Sequence, residues 1–215
     1  MDPVSRTGPE AMAVDECLLE TARMPVLRIY SWAGDWASIG YFGKISEARE
    51  LFPDLNLVRR WTGGGIVDHR RDWTYTLVIP KGEPLAASRG AESYRIIHEM
   101  LVETISHEQI EVALSAGDAA TGAACCFENP VGFDLISRDG RKLAGAGQRR
   151  SKAGLLHQGS VAMPCENRVK SSMRAEDLAS RLADSLEIFG EIPDAELVLR
   201  KVSLRYGADD WIMRR

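Results

Sequence analysis

Residues 133–163, "FDLISRDGRKLAGAGQRRSKAGLLHQGSVAM", restrict the fold of this chain more than any other stretch. Asp139-Gly140 lies between two strand-like runs and is a pair favoured in two-residue hairpin turns. Another strand, "LLHQGSVAM", follows closely. Parallel neighbours need a crossover of a dozen residues or more, so strands joined this locally run antiparallel. The run "WTYTLVIP" adds a strand with Trp73, Tyr75, Leu77 and Ile79 on one face, Thr74 and Thr76 on the other, and Pro80 at its end. Residues 26–31 alternate similarly, Gly34-Asp35 reads as a turn, 36–42 as the returning strand, and "NLVRRW" as a third strand.

Helical spacing places Ala11, Val14, Leu18 and Ala22 on one stripe of a helix over 9–22. The same spacing gives Ile97, Leu101 and Ile105 in 91–107, and Leu178, Leu182, Leu186 and Phe189 in 176–189. The Gly/Ala-rich stretch 115–124 reads as a loop, and "AELVLRKVSL" fits helix or strand equally. Strands outnumber helices and join locally, so the class is α+β, a mainly antiparallel sheet with helices packed on it. At 215 residues the chain forms one domain, 1–215.

A net charge of −4 argues against general nucleic-acid binding, and no apolar run approaches a membrane span. The N-terminus carries no basic-then-apolar signal, so a cytoplasmic location is expected. Cys17, Cys125, Cys126 and Cys165 show neither C-x-x-C spacing nor finger-spaced histidines, so neither a metal site nor a disulfide framework is expected.

Three patches carry candidate chemistry. "RRWTGGGIVDH", residues 59–69, places three glycines after Arg59 and Arg60 and before His69. One or two glycines serve an ordinary turn, so the run suggests a backbone that something else approaches. "GRKLAGAGQRR" puts Lys142 at a strand start before small residues, where a lysine can hold a carboxylate, phosphate or carbonyl oxygen. "LLHQGSV" sets His157 in an apolar strand, more often a hydrogen-bonded structural residue than a catalyst.

Taken in order, "MAVDECLLE", "LRIYSWAGDWASIGYF", "RRWTGGGIVDH", "TYTLVIP", "CFENP", "DGRKLAGAGQRR" and "LLHQGSV" resemble the biotin/lipoate A/B protein ligase family, over about residues 8 to 163. The resemblance implies a fold like the catalytic core of biotin ligases and class II aminoacyl-tRNA synthetases. It also implies attachment of octanoyl or lipoyl groups to a lysine of a lipoyl domain. The loop of Thr62, Gly63, Gly64 and Gly65 would then shape the acyl tunnel, with Arg59, Arg60, His69, Gly145 and His157 as further substrate-binding positions. Lys142 would hold the acyl carbonyl or phosphate oxygen.

Two mechanisms compete within that resemblance. Thr62, "WTYTLVIP" and Cys126-Phe127 are similar to cysteine-type octanoyltransferases, in which a thiolate carries the acyl group and no cofactor is needed. Cys126 and Lys142 would be the catalytic pair, with Cys125 and Cys165 as inert fillers. Gly65 stands where those enzymes carry arginine and is ligase-like, whereas Arg70 stands where ligases carry aspartate. A ligase would use ATP and Mg²⁺ with free lipoate. A transferase would draw on acyl carrier protein. Either would serve apo lipoyl domains, such as glycine cleavage H protein or a 2-oxoacid dehydrogenase E2, and neither nucleic acid nor membrane. The third alternative is a non-catalytic homologue that binds lipoylated domains or a nucleotide.

Overall fold

The computed structural model describes residues 2, 4–117, 121–163, 167–188 and 193–214. In chain order the elements are α1 (Gly8–Thr21), β1 (Val26–Tyr30), β2 (Trp36–Ile39), α2 (Ile45–Leu51), β3 (Asn56–Arg59), β4 (Val67–Asp68) and β5 (Trp73–Pro80). There follow α3 (Pro84–Ala87), α4 (Gly90–His107), β6 (Val112–Leu114), β7 (Leu135–Ser137), β8 (Lys142–Arg150) and β9 (Gly154–Val161). The chain closes with α5 (Arg168–Leu182), α6 (Ala195–Lys201) and α7 (Asp209–Ile212).

Six strands form one sheet in the order β1-β5-β9-β8-β7-β6, with every neighbouring pair antiparallel. The Asp139-Gly140 hairpin is present, and Gly140 takes a φ of 81° in its turn. The expected pairing of 26–31 with 36–42 is not. β2 ends at Ile39 and belongs to a second sheet, β3-β2-β4, where it runs parallel to β3. The helix α2, which residue spacing did not reveal, supplies the crossover that a parallel pair requires. β1 meanwhile pairs along its whole length with β5, from Val26 opposite Val78 to Tyr30 opposite Thr74.

Both faces of the larger sheet are covered, so all eight residues of β5 are buried. Helix α1 packs Met12, Val14 and Leu18 with Tyr30, Val78 and Leu156 on one face. Helices α4 and α5 bring Leu101, Ile105 and Leu178 onto Trp73, Tyr75, Leu135 and Val161 on the other. The threonine face of β5 is therefore interior, and its hydroxyls need partners. Thr76 donates to Asp15 at 2.8 Å, and Asp15 also pairs with Arg28 at 2.5 Å. Losing one member of such a buried pair costs about 3–5 kcal/mol.

The helix expected over 176–189 begins earlier, at Arg168, and stops at Leu182 because Ala183 turns extended. Leu178 is buried as expected, Leu186 is 50% exposed beyond the helix end, and Phe189 lies outside the described residues. "AELVLRKVSL" resolves as helix, continuing from α6 into a wide turn over Val202–Tyr206. Among the described residues no helix is long and apolar enough to cross a membrane.

Candidate active site

Lys142 and Cys126 meet. The Lys142 Nζ donates to Cys126 Sγ at 3.2 Å and to the Asn129 carbonyl at 3.4 Å, and it pairs with the Asp134 carboxylate at 2.7 Å. An ammonium has three protons, and each faces one of these acceptors. Asp134 is fully buried and also accepts from the Tyr94 hydroxyl at 2.5 Å and from the Val131 amide at 2.8 Å. Gly145 makes this possible: a Cβ there would stand 2.5 Å from Lys142 Cε and 2.7 Å from its Nζ. The lysine lies across its own strand only because that position is bare.

The glycine loop reaches the same place by its backbone. Ile66 and Cys125 form an isolated parallel bridge, in which the Ile66 amide donates to Ala124 O at 2.9 Å and the Cys126 amide to Ile66 O at 2.8 Å. A Cβ at Gly65 would fall 2.7 Å from Ala124 O and 3.3 Å from the Cys126 backbone. Thr62 anchors the loop over the sheet by donating to Gln158 at 2.7 Å, and Gln158 donates in turn to Asp15 at 2.7 Å. Arg60 curls the loop, donating to Gly63 O at 3.2 Å and Gly65 O at 2.9 Å. Burial lowers the Arg60 pKa, with the Cys126 sulfur pulling the other way, and among the described residues no carboxylate pairs with it. Burial pushes the Cys125 thiol up and that of Cys17 up to about 11. Cys165 lies outside the described residues.

The remaining sequence candidates divide. Arg59 is fully buried and donates to six carbonyls, those of Gly40, Tyr41, Gly43, Trp211, Ile212 and Arg214, so its guanidinium ties the C-terminal segment to the small sheet. It does not join the cysteine and lysine. His69 acts at one remove. Its Nδ1 donates to Asp72 at 2.7 Å, leaving Nε2 to accept from Ser38 Oγ at 2.6 Å, and Ser38 accepts from Arg60 at 2.6 Å. A polar chain thus runs from Asp72 to the glycine loop. His157 is fully buried on the opposite face of the sheet, between Gln148 Nε2 at 3.0 Å and the Tyr75 hydroxyl at 3.1 Å. It stacks with Tyr75 and meets Tyr94 and His98. Burial holds its imidazole well below the usual range and that of His98 at about 4.

Residue spacing missed Asp134 and Tyr94. Tyr94 and His98 share the inward face of α4 with Ile97 and Leu101, and polar residues on an apolar stripe are the signal that could have found them. Tyr94 reaches the edge of β8, where its hydroxyl accepts the Ala146 amide at 2.9 Å.

A thiol facing an ion-paired lysine, walled by bare backbone on a mainly antiparallel sheet, is an arrangement suited to transferring or ligating acyl groups. Residues 7–181 match the lipoyl protein ligase A/B catalytic domain. The chain belongs to that family. It is 29% identical to an octanoyltransferase LipM of Brevibacillus brevis over 95% of this chain and 94% of that protein. It is 34% identical to the LipM of Carboxydothermus hydrogenoformans over 76% of this chain, and 31% identical to that of Staphylococcus aureus over 70%. Those two matches span only 64% and 60% of the relatives' own lengths. Among solved structures, a T. acidophilum protein with bound lipoic acid superposes with a TM-score of 0.76 at 16% identity, covering 98% of this chain and 96% of that one. Lipoate-protein ligase A bound with ATP superposes at 0.72, also at 16% identity and covering 98% and 96%. At that identity the likeness is one of fold.

Proposed function

We propose that this chain is an octanoyltransferase, and that residues 1–215 work as one catalytic unit. It moves an octanoyl group from a carrier-protein thioester to Cys126 and then to the target lysine of an apo lipoyl domain. The observation that carries the reading is the 3.2 Å approach of Lys142 Nζ to Cys126 Sγ, with Asp134 behind it. The Cys126 thiolate attacks the donor carbonyl, a C–S bond forms to Cys126, and the donor's C–S bond breaks. The donor leaves as a thiolate and takes a proton from water. The neutral amine of the acceptor lysine then attacks, a C–N bond forms, Cys126 departs as thiolate, and the amine's proton passes to water. In both halves the Lys142 proton that faces Cys126 Sγ turns to the oxygen that gains negative charge, while Asp134 and Asn129 hold the other two.

Gly65 is the observation that favours an ATP-dependent ligase, since cysteine-type transferases resembling this chain carry arginine there. Close packing supplies another reason for the glycine, because a side chain at 65 would strike the Cys126 loop. Asp134 already accepts from Lys142, Tyr94 and Val131, which leaves it poorly suited to Mg²⁺. The test is intact mass after donor alone. An adduct removable by neutral hydroxylamine, absent in Cys126→Ala and present in Cys125→Ala, is expected. Turnover by Cys126→Ala with ATP and lipoate would establish the ligase instead.

A further inference from the structure

Around the outer rim of the glycine loop, arginines and aromatic rings alternate. The Arg149 guanidinium lies 5.1 Å from the Tyr41 ring centroid and 5.0 Å from that of Trp61. The Arg214 guanidinium lies 4.8 Å from Tyr41 and 5.7 Å from Trp211. Arg205 closes the set over Trp61 and Trp211, at 5.3 Å and 5.1 Å. Phe42 stands beside Tyr41, 80% exposed.

The charges are not equally satisfied. Arg205 is neutralised by Glu16 at 2.7 Å. Among the described residues, the guanidinium groups of Arg149 and Arg214 have neither a carboxylate nor a hydrogen-bond acceptor. Both cations sit within 5.1 Å of the Tyr41 ring centroid, which holds them no more than about 10 Å apart, comparable with the range over which salt leaves charges unscreened. Holding like charges together is unfavourable unless something opposite approaches. The chain as a whole is acidic, with a net charge of −4, so this cluster runs against its general balance.

The rim adjoins the glycine loop, whose Gly65 packs on the Cys126 backbone. Trp61 directly precedes Thr62, and the Tyr41 amide donates to Thr62 O at 2.8 Å. Arg149 follows Gly147 by two residues on β8, on the face where Gly147 pairs with the loop anchor Gln158. Exposed Phe42 and Arg214 beside half-buried Tyr41, Trp61 and Arg149, with two of the charges unpaired, are the composition of a protein-binding surface more than of a solvated face.

We propose that this rim docks the acceptor, an acidic face of the lipoyl domain beside its target lysine. The inference rests on the transferase reading for the acceptor's identity. Carboxylates of the partner take the Arg149 and Arg214 guanidiniums, while Phe42 and Trp61 supply apolar contact. Because the acyl group waits on Cys126, the donor has left before the acceptor arrives, and one rim beside the loop is enough.

The experiment measures binding of an apo lipoyl domain to the Cys126→Ala protein, which cannot turn over, at increasing salt. Affinity should fall steeply with salt. Arg149→Glu combined with Arg214→Glu should weaken it at least tenfold and remove most of the salt dependence, with melting temperature unchanged. An acceptor with its carboxylates beside the lysine reversed to lysine should recover binding to the doubly reversed protein. Equal affinity of the two proteins, binding indifferent to salt, or no binding by the parent overturns the proposal. The hydroxylamine-sensitive adduct is formed with donor alone and Cys126 intact, so it reads the transferase assignment separately.

Discussion

On one side of Lys142, Gly65 and Ile66 meet the Cys126 segment with backbone alone; on the other, Tyr94 and His98 of α4 close over His157 and Tyr75 of the sheet. Both regions carry motifs that a reader of the sequence would mark. The front wall is held by donors pointing at carbonyls, from Arg60 to Gly63 and Gly65, and by a bridge between two loops. It presents little side chain of its own. The back wall is all side chain and no solvent, and its groups are kept neutral by burial. Tyr94 links the two, because its hydroxyl donates to the same Asp134 that holds Lys142. The contrast teaches that a site can divide its labour, with one wall exposing atoms to chemistry and the other fixing their geometry.

The largest expected effect falls on the residue shared by both walls. Lys142→Ala removes the donor beside the reacting carbonyl and should lower transfer by about a hundred- to a thousandfold. The melting temperature should fall as well, because Asp134 is left buried without its cation, so activity is compared well below the variant's own midpoint. Full activity in that variant would break the comparison outright. Gly145→Ala comes next. Its new methyl would displace Lys142 from Cys126 without removing it, so a loss of roughly ten- to a hundredfold, with Lys142 still present, would show that placement is what the bare position secures.

The smallest effect belongs to the back wall and reads stability instead of rate. His98 Nδ1 donates to Phe133 O at 2.6 Å, so Nε2 is the bare nitrogen, and it has no partner among the described residues. Burial depresses His98 from 6.5 to about 4 and His157 further. Below pH 6.5 the unfolded chain therefore binds protons that the folded one refuses. Stability from these groups is complete above about pH 6.5 and declines as pH falls toward 4, by up to about 1.4 kcal/mol per unit for each imidazole. His98→Asn should make the fall of melting temperature shallower between those limits, leaving the share of His157, and an unchanged slope would show that the back wall does not hold His98 neutral.

Much of the scaffold was legible. The hairpin at Asp139-Gly140, the helix of Ile97, Leu101 and Ile105, and the strand of Trp73 to Pro80 all follow from period and turn chemistry, which act within a few residues. The parallel pairing of β2 with β3 was not legible, because its crossover helix α2 has too little amphipathic contrast to stand out in seven residues. Among candidate residues, Cys126 and Lys142 carried their chemistry in their type. The neighbouring pair Arg59 and Arg60 looked equivalent and is not: one ties down residues 211–214, and the other curls the glycine loop.

By itself the sequence determined the local elements, the α+β class and which side chains could do chemistry, since those depend on residue type and short-range spacing. Only the tertiary structure decided which of them share a site. Asp134 behind Lys142, Gly65 against the Cys126 loop and His157 on the far face are outcomes of strand register and sheet order, and register joins residues that no local pattern relates.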